Sequence, residues 1–582
     1  MAGFFNKARD IDASHSHFTT ISGDQHTTIH VYSAHQESVL SSLNPVDRTG
    51  YYLPPCIPGT RRWIFESIQT WLNNPLTPNI LWLSGSPGAG KSTIASTLVS
   101  SLEEQGTLGS HFACKRGDLV LSDPAVIWRT VASDLARYDS AFAERLIKNL
   151  EARKSNPGRA DIESHFKHFI KDPLTESRKR HLEAMGAQGS AGEEDKERFR
   201  ENSSMPFLVV VLDALDECGS DGSQSAQRRI FMNTVTDWSH LHPSFKLLVT
   251  SRDHRITPSF RAVCHHVALE TGDLVTSEGK SDIKLFFERR FAEIADLYPS
   301  LPPSWPGTRV LKQLTDRAAG LFIWADTVIR FLEQGFPKQQ LDLVLSGTFR
   351  EDGDVIDVLY RQILQLSFPN PKSGVLETFK RVVGAIVLAQ VPLFRGDLRH
   401  FLGLQEDEAS IDYILHNLSS VIRRHADGRL HVSHLSFAEF ICDSKRCDKA
   451  FVIDRGIHNG IIALACLQIM KAELRFNICQ LETSHLRNDA VSDLASRVSK
   501  AIPTYLSYSC CFFADHLAAV EVGLLEEIKD FMESRLLYWL EVLSLIKKVG
   551  IASRVLLLIC EWGKVGFIVL VINCEEFYTY LL

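Results

Sequence analysis

The sequence predicts a doubly wound parallel α/β sheet that is followed by all-α regions. A glycine-rich turn at residues 85–92 lies between an apolar strand and a helix-compatible run. Two further apolar segments, residues 207–212 and 245–249, end in polar residues. Continuous apolar runs of this length are typical of strands that are buried on both faces of a parallel sheet. From residue 280 onward, apolar residues recur with helical spacing instead.

Length and composition narrow the class of protein. The 582 residues are enough for about four domains. A net charge of −7 predicts no nucleic-acid partner. The 12 cysteines form no C-x-x-C pair, so we expect reduced thiols in a cytoplasmic protein rather than a zinc site or a disulfide framework. The longest clean apolar run, residues 565–572, is too short to span a bilayer, and the first residues lack the apolar core of a signal peptide.

The chain divides into five regions by composition and periodicity. The first is an N-terminal arm that is either disordered or forms a short hairpin within residues 14–33. An α/β core with a solvated insertion, a helical lid and a winged-helix region follow. The last is a C-terminal helical region, in which we expect a buried helix over residues 531–547. The expected boundaries are 1–50, 51–270 with the insertion at 171–205, 271–350, 351–445 and 446–582. No repeat of fixed period is present in the sequence.

The glycine-rich turn has the spacing of a phosphate-binding P-loop. Its glycines let backbone N–H groups turn toward an anion, and the helix that follows adds its positive N-terminal end. Lys91 is positioned to reach the β- and γ-phosphates, and the Ser92 hydroxyl to ligate Mg²⁺. The strand before the turn and the helix after it favour this interpretation over a turn without function. The predicted nucleotide-binding residues are Gly85, Ser86, Pro87, Gly88, Ala89, Gly90, Lys91, Ser92 and Thr93.

Acidic residues follow the second apolar strand. Asp213 lies at its carboxyl end, where open α/β sheets bind ligands, so it is predicted to hold Mg²⁺ directly or through water. Asp216 or Glu217 is then positioned to orient or deprotonate an attacking water. Arg252 ends the next strand, and its forked guanidinium suits the γ-phosphate. The alternative for Arg252 is a strand-end arginine that pairs with an acid.

Residues 378–443 predict a winged helix. The pattern is three helices followed by a hairpin whose turn is Asp427-Gly428. Many winged helices bind DNA, but no wider basic surface supports that function here. If this region bound DNA, the residues positioned to contact it would be Arg423, Arg424 and Arg429.

Taken together, these motifs resemble the NACHT family of signal-transducing P-loop NTPases, which belong to the STAND class, and in particular its fungal nephrocystin-like branch. The resemblance covers residues 51–445. A further segment, His434-Leu-Ser-Phe-Ala-Glu-Phe440, resembles the winged-helix motif of NOD-like receptors, in which the histidine reaches the β-phosphate of bound ADP. The alternative for His434 is a residue that only leads a helix, with Ser436 as the N-cap. The resemblance is carried by Cys56-Ile-Pro-Gly-Thr-Arg, Gly85-Ser-Pro-Gly-Ala-Gly-Lys-Ser, Asp213-Ala-Leu-Asp-Glu217-Cys and Leu248-Val-Thr-Ser-Arg252.

The resemblance implies a nucleotide-dependent switch. ADP would hold the core and the winged helix together, exchange for ATP would release surfaces for self-association and for a protein adaptor or effector, and slow hydrolysis would reset the state. The implied ligands are ATP or ADP with Mg²⁺, and GTP stays open. In Gly320-Leu321-Phe322 a phenylalanine stands where many relatives have proline, which leaves base selectivity open. Many fungal relatives continue into sensor repeats, whereas the final residues here match no motif of the family, so we expect a truncated or mispredicted end.

Two other classes of function stay open at this point. A metabolic P-loop kinase or ATPase needs an acceptor site, and the sequence offers none beyond the acidic pair Asp216 and Glu217. A scaffold that binds nucleotide without turnover has no need of that pair.

Overall fold

The computed structural model describes residues 33–46, 55–152, 161–187, 207–219, 225–346, 354–402, 408–520 and 523–566, except 117, 119, 254, 255, 426 and 484. The predicted N-terminal hairpin lies almost entirely outside these residues. So does most of the apolar run at 565–572.

A five-stranded parallel sheet forms the centre of the first half of the chain. Its strand order is β2-β3-β4-β1-β5, which is the doubly wound arrangement expected from the sequence. The glycine-rich turn follows β1, which lies between β4 and β5. The strands are β1 (Ile80–Gly85), β2 (Leu108–Ala113), β3 (Leu208–Asp213), β4 (Phe245–Ser251) and β5 (Cys264–Leu269).

Helices cover both faces of this sheet because alternate strand residues point to opposite sides. Ile80 and Trp82 of β1 belong to one apolar cluster, whereas Leu81 and Leu83 belong to another. All four side chains are at most 1 % exposed. The helices of this half are α1 (Ala34–Ser41), α2 (Arg62–Asn73), α3 (Lys91–Glu104), α4 (Pro124–Tyr138), α5 (Ser140–Ala152), α6 (Ile162–His165), α7 (Asp172–Ala187), α8 (Ser225–Asp237) and α9 (Pro258–Ala262), with a π-helical turn at Phe166–Lys171.

The expected solvated insertion at 171–205 begins later than its composition indicates. Helix α7 occupies its first part and packs on α5. Leu174 and Ser177 are buried in that contact, and they lie one turn and two turns after the buried Ile170. Two inward residues at helical spacing are enough to hold a helix that is otherwise charged. Residues 188–205 lie outside the described part of the chain.

Four helices follow the sheet and pack together in the region expected to be the lid. Ala319 (φ 49°) and Gly320 (φ 82°) both adopt left-handed backbone, and they separate the second of these helices from the third. The lid helices are α10 (Ser277–Leu297), α11 (Thr308–Ala318), α12 (Phe322–Glu333) and α13 (Pro337–Ser346).

The region predicted to be a winged helix contains helices and a small antiparallel sheet of order β6-β8-β7. Strands β7 and β8 flank the predicted Asp427-Gly428 turn, and Gly428 has a φ of 92°. The elements are α14 (Val355–Ser367), α15 (Ser373–Leu388), β6 (Leu393–Phe394), α16 (Leu398–Phe401), α17 (Glu408–Asn417), β7 (Ile422–Arg424), β8 (Arg429–Val432) and α18 (Leu435–Ile441).

The C-terminal region is helical, and its apolar core is continuous with that of the lid. The single buried helix expected over residues 531–547 is instead two helices that break at Arg535, and Leu537 is 67 % exposed. None of the described helices is both long and apolar enough to cross a membrane. The helices are α19 (Arg455–Glu473), α20 (Leu494–Ala501), α21 (Thr504–Leu517), α22 (Leu525–Ser534), α23 (Leu536–Leu545) and α24 (Ala552–Gly566).

Candidate functional site

The glycine-rich loop turns back on itself between β1 and α3. Gly88 and Gly90 have φ angles of 81° and 96°, which residues with a Cβ rarely adopt. The Nζ atom of Lys91 donates to the carbonyl oxygens of Gly85 (2.8 Å) and Ser86 (3.0 Å). Burial lowers the pKa of Lys91, and the nearby carboxylates of Asp216, Asp213 and Glu217 only partly oppose this shift. The loop therefore has the backbone and the cation that phosphate binding requires.

The lid closes directly on this loop. The Ile323 N–H donates to the Gly88 carbonyl at 3.1 Å, at the first turn of α12. A Cβ atom at Gly88 would lie 1.9 Å from Cγ2 of Ile323. Ser86 and Thr271 add a hydroxyl pair at 2.8 Å. The conformation of the loop is thus coupled to the position of the lid.

Arg61 contacts both the glycine-rich loop and the helices that follow the sheet, and the sequence did not predict these contacts. It adopts left-handed backbone (φ 61°), is 5 % exposed and donates through Nη2 to the Ala89 carbonyl at 2.6 Å. Its backbone N–H donates to Asp282 at 2.9 Å, and its guanidinium lies 4.6 Å from the ring centroid of Phe322. The phenylalanine that stands in place of the expected proline therefore makes a cation–π contact with Arg61, which directly precedes α2.

Asp213 lies at the carboxyl end of β3 and is buried. The Thr250 hydroxyl, on the neighbouring strand β4, donates to the carboxylate of Asp213. The same hydroxyl accepts from the Ala214 N–H at 2.9 Å, and Ala214 adopts left-handed backbone. This turn fixes the direction in which the chain leaves the strand.

The two acids after Asp213 differ sharply in their surroundings. Asp216 is buried and bound to Arg252, whose N–H donates to Oδ1 at 3.0 Å and whose Nε lies 3.1 Å from Oδ2. Glu217 accepts from the Arg116 N–H at 3.0 Å. Burial raises the pKa of Glu217 to about 6, and the negative charge of Asp216 adds to this shift. The protonation of Glu217 therefore changes near pH 6.

Arg252 also reaches beyond the core. Its Nη1 atom lies 3.1 Å from Oε1 of Glu439, a residue of α18. Arg116, which follows β2, donates to the same oxygen at 3.1 Å. The alternative interpretation of Arg252, an arginine paired with an acid, describes its contacts in this conformation. No local pattern in the sequence links Arg116 or Glu439 to Arg252.

His434 caps α18 at its N-terminus. Its Nδ1 atom accepts from the Ser436 N–H at 3.1 Å and lies 2.7 Å from the Ser436 hydroxyl, which in turn contacts Tyr360. Because Nδ1 accepts a backbone N–H, the neutral ring carries its proton on Nε2. Burial, together with the positive charges of Lys91 and Arg252, lowers the pKa of His434 to about 4. The N-cap of α18 is therefore His434 itself and not Ser436, the residue that the alternative interpretation proposed.

The predicted site residues converge on one edge of the sheet. The glycine-rich loop, Asp213 and the strand-end arginine follow β1, β3 and β4, which are adjacent and parallel. Ser92 and Thr93 lie in the first turn of α3. Within the described residues, no three or more His, Cys, Asp or Glu side chains form a group that could hold a metal ion by themselves.

A family model described as "Nephrocystin 3, N-terminal" matches residues 59–184. The vegetative incompatibility protein HET-E-1 of Podospora anserina is 22 % identical over 518 residues, which cover 83 % of this chain and 35 % of that protein. These matches support the resemblance to the NACHT-type P-loop NTPases of the STAND class. The chain spans about a third of the length of this curated relative.

Two solved structures align with this chain over long stretches. A STAND protein with a tetratricopeptide repeat sensor from Pyrococcus horikoshii is 11 % identical, with 90 % of this chain and 71 % of that chain covered and a TM-score of 0.36. The ORC2 protein of Aeropyrum pernix is 14 % identical, with 66 % and 92 % covered and a TM-score of 0.29. TM-scores this low do not by themselves establish a shared fold.

The contact between the loop and the lid generates a first prediction. In Gly88→Ala, the new Cβ would overlap Ile323 and push the first turn of α12 off the loop, so we expect the affinity for Mg²⁺-ADP to fall by about tenfold or more. Titration with a fluorescent ADP analogue measures the affinity, and limited proteolysis detects an opened lid.

Gly106→Ala is the matched control. Gly106 also has a positive φ of 65°, but no atom lies within 4 Å of its added Cβ, so this variant carries the backbone strain without the overlap. Equal affinities in the two variants would show that the contact between loop and lid does not matter for binding.

Proposed function

We propose that this chain is a nucleotide-dependent signalling switch that binds ADP with Mg²⁺ in the closed conformation described above and opens on exchange for ATP. The observation that carries the proposal is the contact of α18 with the phosphate-binding edge. Glu439 bonds to Arg252, and His434 lies within electrostatic reach of Lys91 and Arg252. A helix that touches the site in this way gives the winged-helix region a means to respond to the phosphates.

The proposed ligand contacts follow from the chemistry of the residues at this edge. The loop N–H groups and Lys91 would hold the β-phosphate, and the Nε2–H of His434 would donate to the same phosphate. The Ser92 hydroxyl and the Asp213 carboxylate would hold Mg²⁺, which takes oxygen ligands of this kind and neutralises phosphate charge. Phe322 contacts Arg61. We propose ATP rather than GTP as the triphosphate, because the family resemblance favours ATP.

Slow hydrolysis would reset the switch. Asp216 is already bound at both carboxylate oxygens by Arg252, so Glu217 is the better candidate for the group that deprotonates or orients water. Its raised pKa suits a general base that works near neutral pH. Turnover without dependence on a second substrate separates this proposal from a metabolic kinase.

The relation to HET-E-1, a vegetative incompatibility protein, supports a role in signalling. Because this chain spans only 35 % of that protein, its trigger and effector are not carried over. We propose self-association in the open state and a protein adaptor or effector as partner, in a cytoplasmic setting and without nucleic acid.

Nucleotide retention gives the most direct test. Lys91→Ala removes the charge that would hold the β-phosphate, so we expect it to lose the bound nucleotide and to bind ADP at least about tenfold more weakly. The nucleotide is extracted from purified protein and identified by anion-exchange chromatography, and light scattering gives the mass in solution. Lys284→Ala, which removes an exposed lysine paired with Glu288, is the control. Unchanged retention in Lys91→Ala would contradict nucleotide binding by this loop.

The histidine generates a second test. His434→Ala removes the proposed phosphate donor and weakens closure, so we expect the protein to shift from monomer toward oligomers in size-exclusion chromatography with light scattering. His434→Asn keeps an N-cap for α18 but shortens the side chain, and it should shift in the same direction. A shift in the alanine variant alone would trace the effect to the lost cap and contradict the proposed role of His434.

Glu217 gives a prediction about pH. The carboxylate form is the active base, so ATP turnover should be lost as pH falls through about 6, where the group becomes protonated. Glu217→Gln should lower turnover by about 10²-fold or more at neutral pH while it still binds ATP. Binding of ATP across the same pH range is the control. A turnover profile that is flat between roughly pH 5 and 7 would argue against Glu217 as the base.

A further inference from the structure

One carboxylate joins two arginines at the boundary between the core and α18. The Oε1 atom of Glu439 accepts hydrogen bonds from Nη1 of Arg116 and from Nη1 of Arg252, each at 3.1 Å. Arg252 is also 3.4 Å from Oε2. The two arginines follow the carboxyl ends of β2 and β4, so both belong to the edge of the sheet that carries the phosphate-binding loop. Their guanidinium groups therefore converge on a single anionic position.

This position is sheltered from water. The side chains of Arg252, Glu439 and Arg116 are 13 %, 22 % and 24 % exposed. Charge interactions at such a boundary are screened less than on an open surface. Two guanidinium groups held this close repel each other unless an anion lies between them. Loss of Glu439 from this position would therefore favour the entry of another anion.

The remaining contacts of the two arginines indicate what that anion would be. Arg252 is bound to Asp216, and the backbone N–H of Arg116 donates to Glu217. Both arginines are therefore held by contacts other than the one with Glu439. The Nε atom of Arg116 is buried and has no hydrogen-bond partner among the described residues. A tetrahedral phosphate offers more acceptor oxygens than a carboxylate and suits forked arginine donors.

The phosphate-binding loop lies close by. Arg252 acts electrostatically on Lys91, and both act on His434. A nucleoside triphosphate whose β-phosphate is held at Lys91 would bring a third phosphate to the same edge of the sheet, where Arg252 and Glu217 act on the charge of Lys91. A diphosphate has no group to reach there, so the position stays with Glu439.

We propose that Arg116 and Arg252 together form a binding site for the terminal phosphate of a nucleoside triphosphate, and that Glu439 occupies this site when α18 is docked on the core. The inference rests on the proposed function and adds to it. Arg116 becomes a second phosphate-contacting residue beside Arg252. Glu439 becomes an internal anion that occupies the site in the closed conformation. A third phosphate would repel its carboxylate and compete with it for the same two arginines, so the closed conformation binds a diphosphate in preference to a triphosphate.

The test compares the affinities for two nucleotides in the full chain. The probes are Mg²⁺-ADP and a non-hydrolysable Mg²⁺-ATP analogue, measured by titration calorimetry on nucleotide-depleted protein. Glu439→Gln keeps the shape of the side chain and removes its charge, so we expect the affinity for the ATP analogue to rise about tenfold relative to that for ADP. Glu377→Gln, which removes an exposed carboxylate paired with Arg381, is the control and should leave the ratio unchanged.

Arg116 is tested in the protein that already carries Glu439→Gln. Arg116→Gln in the Glu439→Gln protein should lower the affinity for the ATP analogue by about tenfold and leave ADP affinity within about twofold. Retained ADP binding also shows that each variant is folded. If Glu439→Gln changes both affinities equally, or if Arg116→Gln leaves the affinity for the ATP analogue unchanged, the shared phosphate site is wrong and the bridge is only structural.

These outcomes are separable from a failure of the proposed function. A wild-type protein that binds neither nucleotide, or a Lys91→Ala variant that binds both normally, would overturn the switch itself. Normal binding to the wild type with an unchanged ratio in Glu439→Gln would overturn the inference alone.

Discussion

The parallel register of the central sheet is the constraint on which the rest of the structure depends. Ser84 of β1 lies opposite Ser251 of β4, and Leu212 of β3 lies opposite Val249. Strands that run in the same direction end at the same edge, so the glycine-rich loop, the Mg²⁺ candidate Asp213 and the arginine after β4 are brought together by backbone hydrogen bonds alone. The edge thereby concentrates charge in a partly buried region, where each charged group needs a partner.

The partners of those charges come from different layers of the fold. Arg61, which precedes α2, connects the glycine-rich loop to Asp282 of α10 and Phe322 of α12. Glu439 of α18 connects Arg116 and Arg252 to that helix. The backbone of the loop therefore contacts α12 directly, and the charge of Lys91 acts on His434 at the start of α18. A change in charge at the phosphates would act on both elements at once.

The same electrostatic environment gives neighbouring groups different chemistry. Asp216 is held by Arg252, whereas Glu217 is partly buried and has a raised pKa. Partial burial and two nearby cations lower the pKa of His434, so it stays neutral at physiological pH with a donor on Nε2. A neutral donor, a bound acid and a titratable acid within one edge are consistent with a site in which nucleotide binding and turnover are served by different residues.

Much of this protein could be predicted from its sequence alone, because the decisive patterns are local. A strand, a glycine-rich turn and a helix in succession define the phosphate-binding loop, and an apolar run that ends in Asp213 defines the neighbouring strand. Helical spacing of apolar residues from residue 280 onward predicted the helices that follow the sheet. Local patterns failed where packing decides: α7 forms in a segment whose composition indicated a solvated insertion, and the helix expected over residues 531–547 breaks at Arg535. The roles of Arg61, Arg116 and Glu439 were out of reach for the same reason. Arg116 and Glu439 are 323 residues apart, and only the docking of α18 on the core brings their charges within hydrogen-bond distance.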